Sequence, residues 1–202
     1  MSERFASLLL ASASPRRHEI LTGMGIRFQV AEHTVDEVAL PGEAPVDFVQ
    51  RLAREKAQSV QALQPDNPLP VMGADTIVVC EGQILGKPVD RDDALRMLAL
   101  LSGRRHQVHT AVALCLRARC EGVLSSTEVG FKPLSEAERI RYWESGEPQG
   151  KAGAYAIQGL GGMFVNALSG SYSGVVGLPV FETAELCARF GVRTGLSEGA
   201  RS

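Results

Sequence analysis

Strand signals and helix signals alternate along this chain, and that alternation confines it to the α/β class. Ser7–Ala11 is a short apolar run fit for a buried strand. Ser14-Pro15-Arg16-Arg17 then opens a helix, with Ser14 as N-cap, Pro15 in the first turn and Gly23 as its close. Arg27–Ala31 reads as a second strand, followed by an acidic loop with Asp36 and Glu37. The periodicity of Val46, Val49, Leu52, Ala53, Ala57, Val60 and Leu63 predicts a helix over Pro45–Leu63. Val71–Cys80 is an apolar strand interrupted only by Asp75 and Thr76. Asp90 caps a helix that runs to Leu101 and stops at Gly103. Gln107–Leu116 and Val123–Phe131 alternate as a half-buried antiparallel pair. Ser135 and Glu138 form a capping box for a helix ending near Gly146. A last helix covers Pro179–Phe190 before Gly191, and Thr194–Ser202 reads as a polar, frayed tail.

Composition narrows the function classes. A chain of 202 residues is long enough to bury a core without a metal or disulfide staple. Its 21 basic and 23 acidic side chains leave a net charge of −2, which disfavours a nucleic-acid coat. The stretch Ala152–Phe181 has no charge, but its seven glycines, Gln158, Asn166 and Pro179 argue against a membrane span. Cys80, Cys115, Cys120 and Cys187 form no CxxC pair and read as reduced thiols of a cytoplasmic protein. The P-loop and the Rossmann fingerprint are both absent. The HxxH spacing of His106 and His109 lies on a strand, which sends the two rings to opposite faces.

Only four of the basic residues are lysines, so two of them are informative. Lys56 falls on the apolar face of its helix, where it must snorkel, pair or meet a ligand. Methionine there is expected to stabilise the fold. Lys87, in Gly86-Lys87-Pro88, reads by itself as a turn lysine. Asp75 either turns into solvent at a strand end, a reading that the β-branched run past it weakens, or needs a cation, a metal or several donors, because an unpartnered buried carboxylate is costly. Asp36 and Glu37 could join it around a hard cation, although an acidic loop pair is as readily just solvated. Ser12, Ser14, Arg16 and Arg17 gather at a helix N-terminus, which suits an anion or simply a capped surface helix. Gln158, within Gly153–Gly162, can both donate and accept hydrogen bonds, as base recognition requires. Trp143 reads as packing for its helix.

Five ordered motifs together resemble the Maf family of nucleoside triphosphate pyrophosphatases: SASPRR, RLAREKA, GADTIV, GKP and KAGAYAIQGLGG. The resemblance runs from about Leu8 to Phe190. It implies a single Maf-type domain over residues 1–202, with a core of about 7–190 and the polar tail at 194–202. The implied fold is α/β, an elongated mixed sheet in two lobes with a central cleft, like that of inosine triphosphatase. It also implies a cytoplasmic homodimer that uses a divalent metal, Mg²⁺ or Mn²⁺, and acts on nucleotides rather than on nucleic acid or membrane. Asp75 would be the proton acceptor, with Asp75 and Glu37 holding metal. Ser12, Ser14, Arg16, Arg17, Lys56, Thr76, Lys87 and Gln158 would bind substrate. Arg16, Thr76 and Gln158 look like the branch that hydrolyses dTTP and UTP to the monophosphate and diphosphate. The 7-methyl-GTP branch instead resembles SPWR at the first motif. A non-catalytic nucleotide-binding division regulator is the competing class, since the family is also associated with septum formation.

Overall fold

The computed structural model describes residues 7–197. Its strands are β1 (Leu8–Ala11), β2 (Phe28–Val30), β3 (Val71–Cys80), β4 (Gln83–Leu85), β5 (Arg105–Leu116), β6 (Arg119–Phe131) and β7 (Val165–Ser169). Its helices are α1 (Pro15–Gly23), α2 (Pro45–Leu63), α3 (Arg91–Leu101), α4 (Glu136–Glu144), α5 (Tyr172–Val176) and α6 (Val180–Arg189), with short 3₁₀ turns at Ala152–Ala154 and Leu160–Phe164. The strands form one mixed sheet in the order β2-β1-β3-β5-β6-β7, with β4 paired to β3. β1 lies parallel to both β2 and β3, while the β3–β4 and β6–β7 pairs are antiparallel. The class is therefore α/β with a mixed sheet, as the alternation predicts. Among the described residues no helix is long and apolar enough to cross a membrane.

Two compact units divide the chain. Among the described residues, the first takes those up to Asp75, Thr110–Leu124 and those from Gly177 onward; the second takes Thr76–His109 and Ser125–Val176. Each has its own core. In the first, Leu8, Leu10, Leu21, Met72, Leu114 and Leu186 pack on one side of the sheet. Leu9, Ala11, Ala57, Val60, Val71 and Cys115 form a separate cluster in the same unit. Successive residues of β1 thus feed different clusters, as the period of two requires. In the second unit α3 contributes Ala94, Met97, Leu98 and Leu101 to a core with Phe131, Tyr142, Tyr155 and Phe164. Trp143 packs against that core, as expected.

Local signals fix most boundaries. α2 and β3 form over the predicted residues. Asp90 accepts from the Asp93 N–H at the start of α3, and the Ser135–Glu138 capping box is complete. α1 ends at Gly23 as expected, and the left-handed residue that then turns the chain is Gly25 (φ 70°). Two expectations need correction. A Cβ on Gly25 would sit 2.7 Å from Gly195, whose N–H donates to Met24 O at 2.8 Å. Thr194–Ser197 is therefore pinned rather than frayed, and the rest of the predicted tail, 198–202, lies outside the described residues. Finally, Cys115 and Cys120 are joined by a disulfide and only Cys80 and Cys187 are free thiols. The two-residue connection at Arg117-Ala118 brings the facing positions of β5 and β6 together, which spacing alone did not reveal.

Candidate active site

In the first unit, the close packing of α2 on β3 builds the acidic centre. Gly73 permits it: a Cβ there would collide with the carbonyl of Ala53 and lie 2.7 Å from the amide of Ala57. One turn of α2 is thus laid directly on the strand that carries Asp75. Lys56, only 3% exposed, reaches across and donates from Nζ to Asp75 Oδ1 at 2.6 Å. It also donates to Glu37 Oε1 at 2.6 Å. The partner that the sequence demands for a buried Asp75 is therefore a lysine from the neighbouring helix. This corrects the expected gain from methionine at position 56, because its removal would strand a buried carboxylate.

The loop that bears Glu37 is tied to the same helix. Arg51 Nε donates to Glu43 Oε1 at 2.6 Å and Arg51 Nη2 to Glu43 Oε2 at 2.7 Å, a two-pronged pairing of planar groups. The same guanidinium donates to the Val38 carbonyl at 3.0 Å, and Glu43 accepts from the Leu40 N–H at 2.9 Å. The Arg51 guanidinium holds the Glu43 carboxyl down at about 2. Asp36 is exposed and lines an open hollow with Val35, Val38 and Arg51, whereas Lys56 Nζ donates to Glu37 and Asp75.

The N-terminal corner of α1 stands beside this centre. Arg17 is buried; its Nε donates to Gly177 O at 2.9 Å and its Nη1 to Ser12 Oγ at 3.0 Å. Burial pushes the guanidinium below its ordinary value, while the negative charges of Asp75 and Glu37 pull it back up. Ser12 Oγ also accepts from the Ser14 N–H at 3.3 Å, so Ser12 orders the loop that enters α1. Ser14 stands at the N-cap without a side-chain cap bond, and Arg16 is half-buried on the first turn. Sequence reasoning passed over His33. Burial, and then Lys56, lower its basicity, while Glu37 and Asp75 oppose them. Its position three residues before Asp36 was the only available signal.

Thr76, Lys87 and Gln158 belong to the second unit. Thr76 follows Asp75 directly along β3 and is half-buried. Lys87 is exposed on the turn after β4. The Gly153 N–H donates to the Gly86 carbonyl at 3.0 Å, which joins that turn to the KAGAYAIQ segment. Gly153 has φ 67°, and a Cβ on it would press on Val78 at 2.9 Å. Gln158 is exposed, between Ile157 and Gly159, where the chain leaves the core. His106 and His109 do not pair: His106 is buried against Tyr155, and His109 contacts Ser126 Oγ at 2.8 Å. Glu147 and Tyr142, which hold the Gln158 segment, also went unnoticed in the sequence, since neither belongs to a spacing pattern.

The family model for Maf-like protein matches residues 7–190. A relative from Bordetella parapertussis named dTTP/UTP pyrophosphatase is 53% identical, over 92% of this chain and 93% of its own. Relatives of the same name from Hahella chejuensis and Pseudoalteromonas atlantica are 51% and 50% identical, over 92% and 90% of this chain and 93% and 96% of theirs. Among solved structures, a nucleoside-triphosphatase / dITP/XTP pyrophosphatase from Mycobacterium abscessus matches 63% of this chain and 75% of its own at 15% identity, with a TM-score of 0.38. The matched span holds every residue of the acidic centre and the α1 corner, and the chain belongs to the Maf family.

Proposed function

We propose that this chain is a nucleoside triphosphate pyrophosphatase that hydrolyses dTTP and UTP to the monophosphate and diphosphate. The observation that carries the substrate is the 50–53% identity, over nine-tenths of both chains, to relatives named for that activity. The chemistry agrees with the acidic centre. Attack of water on the α-phosphorus needs a base held at a fixed place, and Asp75 is held by Lys56 from a packed helix. Lys56 also balances the charge of two carboxylates where a polyanion must approach. The N-terminus of α1, with Ser14 and Arg16, offers N–H groups and a guanidinium to phosphate oxygens. Arg17 keeps Ser12 and Gly177 in place and supplies a buried positive charge. Lys87 would neutralise the leaving diphosphate, and Thr76 and Gln158 would face the base.

A divalent cation fits the donors present. Asp75 and Glu37 are hard oxygen ligands that share one neighbour, Lys56 Nζ. Mg²⁺ and Mn²⁺ take one or two carboxylates and complete their shell with water and substrate phosphate. When bound, the ion would neutralise developing charge on the phosphate oxygens. The reading extends to a cytoplasmic homodimer, whose mass light scattering measures.

The test is diphosphate release from a panel of nucleoside triphosphates with Mg²⁺ or Mn²⁺. The expected result is the highest kcat/KM for dTTP and UTP. Preference for 7-methyl-GTP would replace the substrate and keep the reaction. Nucleotide binding without any diphosphate release would leave a binding protein.

A further inference from the structure

The backbone around Gln158 is suspended from two side chains that the mechanism above does not use. Glu147 lies just beyond α4, and its Oε1 accepts from the Gly161 N–H at 2.9 Å and from the Tyr142 hydroxyl at 2.7 Å. Its Oε2 accepts from the Leu160 N–H at 2.9 Å. The Tyr142 hydroxyl, itself buried, accepts from the Ala156 N–H at 3.0 Å. Residues on both sides of Gln158 therefore hang their N–H groups on one carboxylate–phenol pair.

Two of the segment's glycines, Gly159 and Gly161, answer to the same pair. A Cβ on Gly159 would collide with the Glu147 carboxylate. One on Gly161 would lie 2.5 Å from the Tyr142 hydroxyl, and one on Gly162 would lie 2.5 Å from Ile157 O. GLGG is thus a strip of backbone wrapped around an anionic side chain of its own unit. Bonds to a charged acceptor are among the stronger ones, and two of them on successive N–H groups fix the loop's direction.

We infer that Glu147, acting with Tyr142, is a positioning residue that sets base choice by fixing the backbone on which Gln158 is mounted. This rests on the reading of Gln158 as the base-facing side chain. Glutamine at position 147 would keep the shape but offer an N–H where a second N–H needs an acceptor. Phenylalanine at position 142 would keep the ring against Phe164, whose centroid is 4.9 Å away, and lose only the hydroxyl.

The experiment measures kcat and KM for dTTP and GTP in Glu147→Gln, Tyr142→Phe and Gln158→Glu, with melting temperature recorded for each. Glu147→Gln is expected to lower kcat/KM for dTTP about tenfold, the effect of losing a bond to a charged acceptor. The loss should fall mainly in KM and be smaller for GTP, so that the dTTP-to-GTP ratio drops; Tyr142→Phe should follow in the same direction. In a Gln158→Ala background, Glu147→Gln should change that ratio no further. A ratio unchanged in both positioning variants but altered in Gln158→Glu would overturn the inference and leave Gln158 as the reader. A ratio altered in the positioning variants but not in Gln158→Glu would overturn both. Lower melting temperatures with an unchanged ratio would make Glu147 a structural residue only.

Discussion

Asp75 and Lys56 must be treated as a unit. Asp75→Asn is expected to fold, since an amide oxygen can still accept from Lys56, and to lose about 10²–10⁴-fold in kcat, the usual contribution of a general base. Single-turnover diphosphate release checks it. Lys56→Met should be less stable by about 3 kcal/mol, the lower end for breaking a buried pair, because Glu37 keeps contact with water. Urea unfolding decides this, and a stabilised variant would mean that Asp75 finds another donor. His106 gives a pH signature. Burial lowers it from 6.5 to about 4, and its Nε2 bonds the Tyr155 hydroxyl at 2.9 Å. The folded state therefore binds the proton less readily than the unfolded chain. The contribution of neutral His106 is complete above pH 6.5 and is lost as pH falls toward 4, on the order of 3 kcal/mol in all. In His106→Gln, stability measured between pH 7 and 4 should fall less steeply than in the parent.

At the scale of elements, the contact that matters most is α2 on β3. Gly73→Ala inserts a methyl group against the backbone of Ala53 and Ala57, which cannot rotate away. Overpacking of this kind costs about 1–3 kcal/mol. Because the same contact aims Lys56 at Asp75, activity should fall even under conditions where the variant remains fully folded. Denaturation and kcat measured side by side test this. Helix limits were legible because they are written in nearby residues: the Pro45 start of α2, the Asp90 cap and the Ser135–Glu138 box all act within one turn. The region from Ala152 to Val176 was not legible. Its 3₁₀ turns, β7 and α5 are short and uncharged, so no periodicity develops, and their shape is set by distant groups such as Glu147.

At the scale of the whole molecule, stability and activity should respond differently to metal removal. Each unit is held by its own apolar core, and neither is built around a cluster of ligands among the described residues. A chelator is therefore expected to abolish diphosphate release while leaving the melting temperature nearly unchanged, and added Mg²⁺ should restore turnover. A large fall in melting temperature on chelation would assign the metal a structural role. The sequence by itself determined the α/β class, the extents of α2 and β3 and which residues have chemistry to offer, because strand period, helix period, caps and motif order are properties of neighbouring residues. It also showed that Asp75, once buried, would require a partner, since the cost of burying a carboxylate holds in any fold. Only the tertiary structure decided that the partner is Lys56, that Glu37 shares it while Asp36 does not, that Arg17 is spent partly on Gly177, and that Cys115 meets Cys120. Those pairings join residues separated along the chain, and their energies depend on a distance of a few ångströms that exists only after α2 has packed on β3 and the hairpin has closed.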